Sequence, residues 1–202
     1  MKFGVLTFGY NTITNFSESL KKNGYYDTNL GDSAQSIAIR NVYRNFGIRD
    51  DQIVDVNREL LPCYDGEDVL LIMNGVFFNS SFPIPNGIKP IFIGFHASEE
   101  VVSKQAAFLK KHEPIGCRDD WTTSVVQKLG IKAYTTGCIT MTLPRRSQEP
   151  ENKKLLIVYG RGAGRLPLAA FKYIPDHLTA TADLIYHRLH QHKFPMTPAM
   201  IE

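Results

Sequence analysis

The sequence predicts an α/β protein built on a doubly wound, mostly parallel sheet. Three observations predict it. Short apolar runs and helical stretches alternate from residue 1 to about residue 143, which is the pattern of βαβ units. One of the runs, Val69 to Met73, is apolar at every position, as a strand covered on both faces requires. Two of the expected helices end in the same Gly-Ile step, Gly47-Ile48 and Gly130-Ile131, where glycine supplies a left-handed cap before the chain re-enters the sheet.

Taken in order, Phe3 to Phe8 reads as the first strand, and a polar segment from Asn11 to Asn29, rich in Asn, Thr, Ser and Gly, follows it. Connections of that length in compact domains are often functional. A helix is expected from about Asp32 to Phe46, because Ala34, Ile37, Ala38, Val42 and Phe46 recur at helical spacing. Ile53 to Val56 is a short strand. Val69 to Met73 is the most apolar strand, with Asn74-Gly75 as a turn signal after it, and Pro90 to Phe95 is another. Glu99 to Lys111 reads as a helix capped by Ser98, with Glu99 and Glu100 favourable in its first turn. Pro114 to Cys117 is a strand, Asp120 to Leu129 a helix with Trp121, Val125 and Leu129 four apart, and Lys132 to Tyr134 a strand.

The run Arg145 to Lys154 is charged, contains proline and has no apolar residue, so it reads as a linker. It separates an N-terminal domain, residues 1–144, from residues 155–202. In that second stretch Leu155 to Tyr159 begins a fresh strand and a helix is expected near Thr179 to His190. Its length suits one βαβ start, an incomplete second domain.

A hydrophobic content of 43% with 21% charged residues is that of a globular chain and does not indicate disorder. The net charge of +3 argues against a dedicated nucleic-acid binder and leaves an anionic small substrate open, since local charge decides that. The three cysteines, Cys63, Cys117 and Cys138, show no C-x-x-C spacing and read as reduced thiols of a cytoplasmic protein. The N-terminus reads as a strand rather than a signal peptide, and no run reaches the roughly 20 apolar residues that span a bilayer. No integral membrane segment is expected.

Several segments have the residue types to carry chemistry. Asn29-Leu-Gly-Asp32 enters the first expected helix. Gly31 permits close backbone approach there, and Asp32 suits a hydrogen bond to a sugar hydroxyl or a proton transfer better than it suits a phosphate; simple capping by Asn29, Asp32 or Ser33 explains the same residues. Asn74-Gly75 is a backbone-lined pocket floor or an ordinary turn. In Cys117-Arg-Asp-Asp-Trp-Thr122, Arg118 has the fork to take an anion bidentately, or it pairs locally with the aspartates, of which Asp119 or Asp120 caps the helix. Cys117 reads as packed rather than nucleophilic. Thr135 to Thr142 carries Thr136, Gly137 and Thr140 at another strand end, lining a polar cleft or simply edging a strand. Gly160, Gly162 and Gly164 are spaced G-x-G-x-G, not the G-x-G-x-x-G of a dinucleotide site, so no nicotinamide cofactor is expected. His187, His190 and His192 lack a neighbouring acidic or thiol ligand and read as solvated histidines rather than a metal site.

Together these pieces resemble the polysaccharide pyruvyl transferase family. The likeness rests on Asn29-Leu-Gly-Asp32 before a helix, on Val69-Leu-Leu-Ile-Met-Asn-Gly75, and on Gly116-Cys-Arg-Asp-Asp-Trp-Thr122 running to Leu129-Gly130. It extends to Val158-Tyr-Gly-Arg-Gly-Ala-Gly-Arg-Leu-Pro167, Tyr173-Ile-Pro175 and His187. Their order and separations fit. Two departures stand out. Asn74 replaces the first glycine of the family's Gly-Gly step. The family's late Ser-Arg-Leu-His segment is expected well beyond Arg188-Leu-His190, so this chain is expected to stop before the second half of the active site.

The resemblance implies two Rossmann-like halves, as in glycosyltransferase-B-like folds. It also implies transfer of a pyruvyl group from phosphoenolpyruvate to a carbohydrate acceptor, forming a ketal during surface-polysaccharide synthesis. No cofactor beyond the donor substrate is implied. On that basis Asp32 and Arg118 are the expected catalytic residues, Arg118 serving the donor's anionic groups and Asp32 the acceptor. Asn29, Gly31, Asn74, Gly75, Thr136, Gly137 and Thr140 are the expected substrate-binding residues. The alternatives are a non-catalytic or truncated member that binds a glycan or a partner protein, and a nucleotide-sugar glycosyltransferase. Uncovered apolar surface on an isolated half also makes self-association into a homo-oligomer an expectation.

Overall fold

A computed structural model describes residues 1–8, 29–145, 147–148, 156–159, 173–180 and 182–186. The chain divides into two compact units, Met1–Arg145 and Arg146–Glu202. The first unit contains β1 (Lys2–Thr7), α1 (Leu30–Asn45), β2 (Ile53–Asn57), β3 (Val69–Phe77), β4 (Ile88–Ala97), α2 (Glu99–Lys104), α3 (Ala106–Lys111), β5 (Ile115–Cys117), α4 (Asp120–Lys128) and β6 (Ala133–Thr135). In the second, β7 (Leu156–Tyr159) pairs in parallel with β8 (Asp183–Tyr186), and the short α5 (Asp176–Thr179) lies between them in sequence.

The six strands of the first unit form one sheet in the order β2-β1-β3-β4-β5-β6, and every pairing is parallel. This is the Rossmann-like, doubly wound arrangement the sequence predicts. The order reverses direction between β1 and β3, which creates a switch point where the carboxyl ends of two strands diverge.

The two faces of the sheet carry separate cores. On one, Val5 and Ile72 pack with Ala38, Ile39 and Tyr43 of α1 and with Ile139. On the other, Leu6, Leu71, Met73, Phe92 and Phe95 pack with Val101, Val102, Leu109, Val125 and Val126 of α2, α3 and α4. Strand alternation sorts the residues: Leu71 and Met73 face one way, and Ile72 the other. Polar ties fix α1 to the sheet. The Tyr43 hydroxyl donates to Gly4 O at 2.9 Å and the Ser36 hydroxyl to Leu6 O at 2.6 Å. Burial pushes the Tyr43 phenol up to about 12, despite a backbone hydrogen bond that lowers it.

The helix ends follow the sequence. Gly47 and Gly130 adopt φ of 75° and 71°, and the Gly47 and Ile48 amides bond back to Arg44 O and Tyr43 O, so the left-handed glycine closes the last turn. Ser98 and Asp119 cap α2 and α4.

Five details differ from the expectation. Ile37 and Phe46 are exposed, because the buried face of α1 includes Asp32 and Gln35, which an apolar count omits. Trp121 and Leu129 are likewise exposed, and Thr122, Thr123, Val125 and Val126 turn inward. The helix over 99–111 is two helices, broken where Gln105 leaves helical geometry. Residues 183–186 form β8 rather than helix; an isolated Leu-Ile-Tyr run is short enough for either state, and pairing with β7 decides it. Finally, Asn74-Gly75 is not a turn after β3. The strand runs on to Phe77, with a register shift between Met73 and Gly75 and with Gly75 at φ 89°. The extra residue lies on β4, where Ile93 and Gly94 stand opposite Asn74 alone, and Gly94 at φ 75° lets the bulged strand take it up and pairing resume.

Candidate functional site

Because every strand is parallel, the connections that follow their carboxyl ends emerge at one edge of the sheet. The register Gly75–Phe95, Phe95–Cys117, Cys117–Thr135 forms a single row across four strands. Arg118 and Thr136 each lie one residue beyond it, and α1 begins beyond the end of β1 at the same edge. Ligands of open α/β sheets bind in this position, at the switch point.

At the switch point a chain of side-chain hydrogen bonds, buried from Asp32 onward, joins α1 to β3. Asn29 is the N-cap of α1, its Oδ1 accepting from Gly31 N at 3.0 Å. The Asn29 amide donates to Asp32 Oδ1 at 3.3 Å. Gln35 Nε2 donates to the same oxygen at 3.2 Å, and Asn74 Nδ2 donates to Gln35 Oε1 at 3.0 Å. Asp32 is 6% exposed and Asn74 is fully buried. Asn74 Oδ1 has no hydrogen-bond partner among the described residues. A Cβ on Gly75 would stand 3.1 Å from Gln35 Oε1, so the glycine makes room for this chain.

Arg58, just past β2, lies under the same edge. Its guanidinium pairs with Glu59, donates to Val76 O at 3.2 Å and approaches Asp32 Oδ2 at 3.9 Å. It stacks 4.6 Å from the Phe8 ring centre and 5.6 Å from that of Phe78. A buried cation with these partners costs far less than an unpaired one.

Farther along the edge, Asp119 organises a second polar group. Its Oδ1 accepts from the Thr122 amide and hydroxyl, both at 2.8 Å. Its Oδ2 lies 2.8 Å from His96 Nδ1 and 3.7 Å from Arg118 Nε. Burial pushes the Asp119 carboxyl up, but the Thr122 hydrogen bonds and the His96 ring outweigh it and hold its pKa below the ordinary value. The Arg118 side chain is 30% exposed, and its amide donates to Phe95 O at 2.8 Å. Burial pushes the Cys117 thiol up to about 11, against a smaller opposing hydrogen bond with Thr123. At neutral pH that thiol is protonated and packed.

The third group is the turn after β6. Thr136 Oγ1 accepts from Gly94 N at 2.9 Å and donates to Cys117 O at 3.0 Å, so it stitches β4 to β5. Gly137 O approaches Gly94 so closely that a Cβ there would sit 3.2 Å away, and Asn74 Cβ borders the same spot. Thr140 donates to Cys138 Sγ at 3.1 Å.

The edge therefore brings Asn29, Gly31, Asp32, Asn74 and Gly75 into one group at the switch point. Thr136 and Gly137 touch that group through Gly94. Arg118 joins a different group, around Asp119. Sequence reasoning missed Gln35, Arg58 and His96. Gln35 was findable as the polar residue one turn after Asp32. His96 was findable as the last polar side chain of an apolar strand. Nothing local marks Arg58. Gly160, Gly162, Gly164, His187, His190 and His192 lie outside the described residues.

Among the described residues no group of three or more His, Cys, Asp or Glu side chains could hold a metal, and no helix is long and apolar enough to cross a membrane. A hollow bounded by Ile84, Asn86, Lys89, Phe108 and His112 lies beside the start of β4, at the edge where strands begin and where this architecture does not bind ligands.

A family model described as polysaccharide pyruvyl transferase matches residues 29–196. No curated protein and no solved structure matches the chain.

Proposed function

The chain belongs to the polysaccharide pyruvyl transferase family, and from that premise we propose that it transfers a pyruvyl group from phosphoenolpyruvate to a sugar of a surface polysaccharide, forming a ketal. The observation that carries the reading is the common edge: α1 begins, Asn74 and Gly75 lie in the last part of β3, and Arg118 and Gly137 follow β5 and β6, all toward the same carboxyl ends. The reaction needs a cation for the donor's carboxylate and phosphate, and a group that orients acceptor hydroxyls. Arg118 answers the first need, being partly exposed and held only loosely by Asp119. Asp32 answers the second, its carboxylate fixed by Asn29 and Gln35. Asn29, Gly31, Asn74, Gly75, Thr136, Gly137 and Thr140 shape the acceptor's surroundings.

Phosphate release from phosphoenolpyruvate, measured against a panel of glycans and beside nucleotide sugars, tests the reading. Release dependent on one glycan supports it; transfer from a nucleotide sugar instead refutes it. A second reading, a binding member without turnover, draws on the burial of Asp32 and Asn74 and on the internal use of the Thr136 hydroxyl. Glycan binding without phosphate release is its signature.

A further inference from the structure

We propose that His96 is the acid that protonates the methylene carbon of phosphoenolpyruvate, a role that rests on the donor assigned above. The argument begins with the ring's orientation. Nδ1 faces Asp119 Oδ2 at 2.8 Å and Thr122 Oγ1 at 2.7 Å. The carboxylate can only accept. The Thr122 hydroxyl gives its single proton to Asp119 Oδ1 at 2.8 Å and so offers the ring a lone pair. Both neighbours therefore require a proton on Nδ1. The other ring nitrogen, Nε2, has no hydrogen-bond partner among the described residues. The side chain is 26% exposed, and the Trp121 ring stands beside it at 5.9 Å between centres.

This is an imidazole whose tautomer and direction are set by a carboxylate and whose other nitrogen meets no partner among the described residues, the arrangement general acid–base catalysis requires. Its placement selects the step. Asp119 Oδ2 also meets Arg118 Nε at 3.7 Å, so Nδ1 and Nε are no farther apart than those two contacts laid end to end. An anion held by Arg118 is held next to His96. The other candidate acids at this edge are poorly suited. The Cys117 thiol is buried with its pKa near 11, and Asp32 accepts hydrogen bonds from two amides. His112, the other histidine of the first unit, borders the opposite edge of the sheet.

The step balances without an oxidant. Nε2–H gives its proton to the CH2 carbon as the C=C electrons take it, leaving a methyl group and an electron-poor C2. One sugar hydroxyl oxygen bonds to C2, and its proton returns to Nε2. The second hydroxyl oxygen then bonds to C2 as the C2–O bond to phosphate breaks, and phosphate leaves with the bonding pair and the second hydroxyl's proton. A diol and phosphoenolpyruvate give a ketal and inorganic phosphate, and His96 is restored.

The test is His96→Asn, whose amide nitrogen replaces Nδ1 and keeps the Asp119 contact while Nε2 is deleted. Phosphoenolpyruvate binding is read by calorimetry and turnover by glycan-dependent phosphate release, on the full chain with its unfolding midpoint checked. Donor affinity is expected within about twofold of wild type, and turnover is expected to fall by roughly 10²–10⁴. His96→Gln, which puts a non-acidic amide at Nε2, is expected to fall equally and serves if the first variant does not fold. Turnover within threefold of an active wild type overturns the role of His96 alone. Lost donor affinity with turnover restored at saturating donor also overturns it, by making His96 a binding group. A wild type that neither binds phosphoenolpyruvate nor releases phosphate overturns the reaction, and this role with it.

Discussion

Asn74 in the middle of the sheet donates its amide to Gln35 on α1 at 3.0 Å, with no solvent access to either end of the strand residue's side chain. Gln35 in turn serves Asp32, so one side chain satisfies a strand and orients a carboxylate. Gln35→Ala should therefore orphan the Asn74 amide and release Asp32. We expect a loss of about 1–3 kcal/mol, the cost of a buried unsatisfied polar group, measured by urea unfolding. A change under about 0.5 kcal/mol would show that the Asn74 amide finds another partner.

Arg118 is tied to the protein more weakly. Its guanidinium meets Asp119 at 3.7 Å and is partly open to solvent. Arg118→Ala should leave the unfolding midpoint near wild type and weaken phosphoenolpyruvate binding by roughly 10- to 150-fold, the worth of a charge-assisted hydrogen bond. Unchanged affinity by calorimetry removes Arg118 from the donor site.

Asp119 predicts an acid-side effect. Its folded pKa lies below the ordinary 3.8. A depressed carboxylate contributes stability that is present above its unfolded value and is lost as pH falls through the folded one. Asp119→Asn should therefore flatten the decline of stability below about pH 4 while keeping an N-cap for α4. An unaltered acid limb in pH-dependent unfolding would contradict the assignment.

Gly116 tests the packing of the edge. A Cβ there would stand 2.5 Å from Phe92 O and 2.8 Å from the Thr136 methyl. Since the first obstacle is backbone, Gly116→Ala should cost about 1–3 kcal/mol by overpacking. A variant as stable as wild type in thermal unfolding would mean that β4 and β5 separate readily.

The cysteines should separate by reactivity. Cys63 is exposed and Cys117 is buried with its thiol near pKa 11. In native protein at pH 8, Cys63 should alkylate first and Cys117 only after unfolding, as peptide mapping would reveal. Early labelling of Cys117 would mean that the edge opens.

Much of this arrangement is legible in the residues themselves. The alternation of apolar runs and helical stretches specifies a parallel sheet, because strands buried on both faces need continuous apolar sequence and each crossover needs a helix. Gly47 and Gly130 mark helix ends, since left-handed geometry disfavours residues with a Cβ. The segments around Asp32, Gly75 and Arg118 are recognisable as local patterns, and a parallel sheet necessarily sends them to one edge.

Tertiary structure alone decided what those side chains touch. Gln35 is 39 residues from Asn74 and His96 is 23 from Asp119, and no local periodicity encodes such pairings. The buried face of α1 departs from the apolar count for the same reason: Gln35 turns inward where Asn74 of β3 meets it, a partnership visible only once helix and strand are side by side. Sequence sets which segments become strand or helix through local sterics and apolar pattern. The hydrogen-bond partners that make a buried amide or carboxylate tolerable are supplied by distant segments, and only folding brings them within reach.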